Sequence, residues 1–183
     1  MTSHQPILRR SACLAALAAL PLLAACAGER ELPTEPSFYR SLAKADVKVD
    51  AGAAASMISG YRKNNGLPVV TVDPELMKLA EAQAEGMASH DKLSHDVVRS
   101  FHDRLKGGGY RAYTAAENVG AGYHTLAEAF SGWRDSPPHR ANMLLERATR
   151  MGIAAAYAPK SRYKVFWALI IAAPDDRKVA NAL

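Results

Sequence analysis

Of the six histidines in this 183-residue chain, His90, His95, His102 and His139 are the first candidates for chemistry. Neutral imidazole is the commonest metal ligand, and its proton exchanges near neutral pH. No two of these four stand in the His-x-x-x-His spacing that puts both ligands on one helix face, and Cys13 and Cys26 form no Cys/His knuckle. A metal site must therefore be assembled from distant segments. Gly107-Gly108-Gly109 lacks the Lys and Ser/Thr that complete a phosphate loop, and the strained turn that presents a serine nucleophile is absent. His90 and His102 fall on helix surfaces and His124 immediately precedes a cap, so these three are expected to face solvent. Glu128 closes a capping box with Thr125, and that role is sufficient for it.

The elements that must position such residues are legible in part. Ala54, Met57, Ile58 and Tyr61 share one helical face in a segment ended by Asn65-Gly66 and Pro68. Asp73-Pro74-Glu75 supplies an N-cap acceptor, a proline at the first helical position and an acid at the positive dipole end, which predicts a helix to about Ser89. Val97 to Lys106 reads as a short helix ended by the glycine triplet, and Tyr113 to Gly122 as an extended segment. A helix starts at Thr125 and continues through Trp133, and another starts at Ser136-Pro137-Pro138 with Ser136 as the expected cap. Met151–Ala158 and Tyr163–Ala173 change to strand character, joined by turn residues 158 to 162. The second run is apolar on both faces and needs cover on both sides. The expected fold is α+β, a three-layer α-β-α sandwich with a small antiparallel sheet between helices.

Arg9 and Arg10 precede an apolar run from Ala12 to Ala25 that has the length of a secretory signal and is too short for a transmembrane helix. It ends in Leu23-Ala24-Ala25-Cys26, which resembles the lipobox of bacterial lipoproteins. Residues 1–25 are thus expected to be removed, Cys26 to carry lipid, residues 26–50 to form a polar tether, 51–175 to fold as one domain and 176–183 to be a tail. Cys13 leaves with the signal, so the mature chain has no disulfide. The formal charge of +5 drops to +3 without Arg9 and Arg10, and the cations around Arg99, Asp103, Arg104 and Lys106 alternate with acids. Such a surface reads as solvated and does not point to nucleic acid.

Taken in order, Ser94-His95-Asp96, Ala116-Glu117-Asn118-Val119-Gly120, Trp133-Arg134-Asp135-Ser136-Pro137-Pro138-His139-Arg140-Ala141-Asn142 and Met151-Gly152-Ile153-Ala154 resemble the CAP superfamily, also called SCP-like, of cysteine-rich secretory, antigen 5 and pathogenesis-related proteins. The resemblance spans about Ala51 to Ala173. It implies an α-β-α sandwich with a groove lined by two His and two Glu. Carried over by position, the histidines are His95 and His139 and the first glutamate is Glu117. Ser136 stands where eukaryotic members have the second glutamate.

Two imidazoles and one carboxylate can hold Zn²⁺ with a water in the fourth place, the open form of a catalytic site. Without the second Glu no general base stands beside that water, and Asp135 is expected to point elsewhere. A Ser136–His139–Glu117 hydrolase is the other chemistry these residues permit, although capping would occupy Ser136. The bland alternative is a buried polar network around Glu117. The resemblance favours a non-enzymatic, envelope-located module, lipid-anchored at Cys26 on the periplasmic face of the outer membrane. Its groove would take a lipid, peptide or cell-wall ligand. A metal-dependent or Ser/His hydrolase of peptides or envelope polymers is the second reading.

Overall fold

A computed structural model of the chain describes residues 35–175. The expected signal, Cys26, the first part of the tether and the tail lie outside the described residues. After a 3-10 turn at Ser37–Tyr39 come α1 (Ala51–Asn64), β1 (Thr71–Val72), α2 (Pro74–His90), α3 (Phe101–Gly107), β2 (Ala112–Ala121), α4 (Leu126–Asp135), α5 (Pro137–Met143), β3 (Arg150–Ala158) and β4 (Lys164–Pro174). The four strands lie in the order β1-β3-β4-β2. β4 is antiparallel to both neighbours, whereas β1 runs parallel to β3 over two residue pairs. The expected antiparallel sheet is thus a mixed one, because a short strand after α1 adds to its edge.

β4 explains the layering. Val165 through Ala173 are all buried, as an apolar strand with cover on both faces must be. Val165, Trp167, Leu169 and Ile171 point into one core with Ala54 and Ile58 of α1, Ala129 and Trp133 of α4 and Met143 of α5. Phe166, Ala168, Ile170 and Ala172 alternate into a second core with Leu76, Ala80, Ala84 and Met87 of α2. The sandwich of three layers is therefore as expected.

Asp73 Oδ1 caps α2 by accepting from the Glu75 and Leu76 amides at 2.9 and 3.1 Å, with Pro74 beginning the helix. Thr125 and Glu128 form the capping box of α4. Gly152 of β3 permits close approach of α2, since a Cβ there would lie 2.2 Å from the Leu76 carbonyl carbon. Arg62 of α1 is fully buried and faces four carbonyls, donating to Pro68, Met143, Leu145 and Ala148 at 2.8–2.9 Å. It ties α1 to the chain leaving α5, and burial lowers its pKa.

Residues 35–50, expected as the second half of a tether, are part of the body. Leu42 is buried and its amide donates to His124 O at 2.7 Å, while Phe38, Val47 and Val49 pack on the α1–α4 core. The polar composition hid apolar contacts at irregular spacing, among them Phe38, Leu42, Val47 and Val49.

Candidate functional site

The two sides of the site are joined by a dipeptide. Strand side chains alternate across a sheet, so adjacent Glu117 and Asn118 of β2 point to opposite layers. Glu117 pairs in register with Ile170 and shares the α2–α3 face, while Asn118 pairs with Leu169 and shares the α4–α5 face. β2 is an edge strand, which leaves both layers access to the site along its free side.

On the first face, Glu117 is 4 % exposed and accepts from His95 Nδ1 at 2.8 Å. Arg104 of α3 donates from Nη2 to both carboxylate oxygens, at 2.9 and 2.8 Å. The arginine is itself buried, stacks on Phe101 with 5.4 Å between guanidinium carbon and ring centre, and donates to His95 O at 3.0 Å. Buried Gln83 donates to Ser94 O at 2.7 Å and to His95 O at 3.3 Å, pinning the loop that carries the imidazole. The His95 side chain is 49 % exposed, and its bond to Glu117 raises its pKa above the usual imidazole value against the opposing effect of burial.

On the second face, Asn118 Nδ2 donates to His139 O at 2.9 Å, and Asn142 Nδ2 donates to Asn118 Oδ1 at 2.9 Å and Glu117 O at 3.0 Å. These bonds hold α5 against the edge of β2. His139 Nδ1 lies 2.8 Å from Ser136 Oγ. Ser136 is the residue before α5, but its side chain makes no capping bond, contrary to the capping role expected for it. The imidazole three residues on competes for the hydroxyl and takes it. Burial lowers the pKa of His139, and the charge of His95 lowers it further, so the two rings are within electrostatic reach.

The structure thus brings His95 to Glu117 and Ser136 to His139, as two pairs linked through the Glu117–Asn118 backbone. It does not form a Ser136–His139–Glu117 relay, because the Glu117 oxygens are directed at His95 and Arg104. Asp135 is exposed and pairs with Arg134, away from the cluster as expected. His90, His102 and His124 are exposed, as expected. Arg104 is the residue sequence reasoning missed. It stands in a helix among alternating charges, a pattern that reads as a solvated surface. The one usable signal is its place opposite Phe101 on a short helix, three residues apart, where a guanidinium can stack.

The donor set does not fit a zinc centre built on His95, Glu117 and His139. Both Glu117 oxygens already face a guanidinium, whose positive charge opposes a divalent cation at the same carboxylate. Among the described residues no three His, Cys, Asp or Glu side chains are grouped to hold a metal.

The comparisons with known proteins agree with this architecture. An uncharacterised protein of Bacillus subtilis (strain 168), YkwD, is 29% identical over 99 residues, 53% of this chain and 38% of that protein. The crystal structure of an extracellular protein containing a SCP domain from Bacillus anthracis str. Ames superposes with a TM-score of 0.58 at 24% identity, covering 67% of this chain and 39% of that one. An outer surface protein of Borrelia burgdorferi superposes with a TM-score of 0.60 at 17% identity, covering 70% of this chain and 98% of that one. The chain spans about two fifths of the length of the two Bacillus relatives. The cysteine-rich secretory protein family model, CAP, matches residues 55–171, from within α1 to within β4, and the chain belongs to that family.

Proposed function

We propose that this CAP protein is an envelope lipoprotein, anchored through Cys26, whose domain binds a lipid, peptide or cell-wall ligand over the His95–His139 face without transforming it. One observation carries the reading. The carboxylate of the cluster is buried and accepts at both oxygens from Nη2 of the Arg104 guanidinium, so its charge is balanced where a general base would have to be free. What remains open to a ligand is the polar edge of two partly exposed imidazoles, suited to recognition. The two solved relatives, an extracellular protein and an outer surface protein, support an extracytoplasmic place, and no described helix is long and apolar enough to cross a membrane.

The contact of Ser136 with neutral His139 favours a second reading, a serine hydrolase. It lacks a carboxylate to orient the imidazole, since Glu117 serves His95 and Arg104. The test is mass spectrometry of small molecules that copurify with the full chain from its native envelope, beside the His95→Ala and His139→Ala variants. A ligand retained intact by the wild type and lost in both variants is the expected result. Turnover of an ester or peptide that is abolished by Ser136→Ala would overturn it in favour of hydrolysis. The anchor has a separate check: Cys26→Ser abolishes acyl labelling, and labelling that persists refutes it.

A further inference from the structure

The sheet has a second edge, on the side of the strand order opposite β2. β1 covers β3 only at Arg150 and Met151. Beyond that point, the residues of β3 whose amides point away from β4 follow from the Met151 carbonyl, which accepts from Asp73 N on the outer side at 2.8 Å. The alternate residues Ile153, Ala155 and Tyr157 therefore also aim their backbone outward. The Ile153 amide meets Met77 Sδ at 3.3 Å, which confirms the direction. The outward N–H and C=O groups of Ala155 and Tyr157 have no partner among the described residues. Natural sheets cover or charge such an edge because it templates another strand.

This edge opens into a slot of about 570 Å³. One wall is α2, with Met77, Glu81 and Glu85, and the other is the segment from Lys44 to Val49. The slot continues past Glu85, Ala156 and Tyr157 into a second hollow beside Ser89 and Asp91. α2 runs along β3, with Leu76 against Gly152 at one end and Glu85 beside Tyr157 farther on. Glu81 and Glu85 are four residues apart, about 6 Å along a helix. Side chains on one face of an extended strand repeat at nearly the same interval, roughly 6.6 Å. Lys44 and Lys48, with Asp46 between them, face the slot from the opposite wall.

We infer that the free edge of β3 binds an extended peptide by strand addition, taking a segment with the pattern cation, acid, cation. The two cations meet Glu81 and Glu85, the intervening acid meets the lysine wall, and the peptide backbone pairs with Ala155 and Tyr157. Backbone pairing supplies affinity and the alternating side chains supply selection. The edge-on slot, flanked by its own chain on both walls, favours a single strand over the edge of a second copy.

The test uses the full chain in detergent and a fluorescent probe peptide, Val-Thr-Lys-Glu-Lys-Thr-Val. Saturable binding is expected, with slowed hydrogen exchange at the Ala155 and Tyr157 amides and no slowing at amides of β2. Charge reversal by Glu81→Lys together with Glu85→Lys weakens the probe by about tenfold or more, and a Glu-Lys-Glu probe binds the wild type as weakly. N-methylation of the probe amides on one face only abolishes binding, whereas methylation on the other face does not. Equal binding of both charge patterns, or protection confined to other strands, overturns the inference. Protection of Ala155 and Tyr157 that rises with protein concentration without probe overturns it in favour of self-association.

Discussion

Replacing Arg104 by methionine tests the central physical claim, that a buried guanidinium and not a metal balances Glu117. Methionine keeps the length and apolar stem, so packing on Phe101 is largely retained while the charge is lost. The Glu117 side chain left behind is 1 % exposed and loses bonds to both oxygens. Breaking a buried pair from one side costs about 3–5 kcal/mol. His95 still donates to Oε1, and loss of the neighbouring cation favours its protonated form, which places the cost near the lower end, about 3 kcal/mol. For a domain of this size that corresponds to a fall in Tm of roughly 10 °C. The loss is smaller at pH 5.5 than at pH 8, since protonated His95 replaces part of the missing charge. The double variant Arg104→Met with Glu117→Met recovers much of the stability, because no charge is then left buried. Calorimetric unfolding of the four members of the cycle measures this. A single variant within 2 °C of wild type, or a double variant no better than the single, refutes the argument.

Gly152→Ala sets a methyl carbon 2.2 Å from the Leu76 carbonyl carbon and 2.5 Å from the Met77 amide nitrogen, backbone atoms that cannot rotate away. A loss of about 3 kcal/mol in urea unfolding is expected, and a neutral outcome would show that α2 lies farther from β3. The two site histidines act with opposite sign on stability. His95 has a raised pKa, so its contribution is complete below about pH 6.5 and disappears as pH rises through the folded value. His139 has a lowered one, so its contribution is complete above about pH 6.5 and is lost as pH falls toward the folded value. Urea midpoints between about pH 5 and 8 should therefore lose their alkaline decline in His95→Gln and their acid decline in His139→Gln, each by less than about 1 kcal/mol because solvent screens both rings. Zinc analysis after dialysis should give the same substoichiometric content for wild type, His95→Ala and His139→Ala. One equivalent that disappears in both variants would show that the arginine yields its carboxylate to a metal.

What could be read in advance was local. The caps of α2 and α4 are spelled by Asp73-Pro74 and by Thr125 with Glu128, and the β3–β4 pair by its turn and by nine consecutive buried residues of β4. Side chains whose role depends on distant partners could not be read. Arg62 and Arg104 look like surface cations until residues 143–148 and Glu117 enclose them. β1 has only two residues, and its partner lies nearly eighty positions along the chain. Ser136 before two prolines has every mark of a cap, yet a side chain on its own first turn outcompetes the backbone amides. The order of four motifs singles out His95, Glu117 and His139, whereas their division into two pairs follows from the alternation of one strand dipeptide.

That division decides what the face can recognise. His95 directs Nδ1 at Glu117, which leaves Nε2 outward as an acceptor when the ring is neutral and as a donor when it is protonated. The raised pKa moves the change toward neutral pH, so Nε2 offers a positively assisted donor over more of that range. Burial shifts His139 toward its neutral form, and the Ser136 hydroxyl can either give or take a hydrogen at Nδ1, which lets the other ring nitrogen adapt to either partner. A charged donor within electrostatic reach of an adaptable ring matches a carboxylate or phosphoryl oxygen carried near a hydroxyl or amide. The ligand proposed for this face is therefore selected by a polar head of that kind, and its affinity should rise as pH falls through the His95 transition.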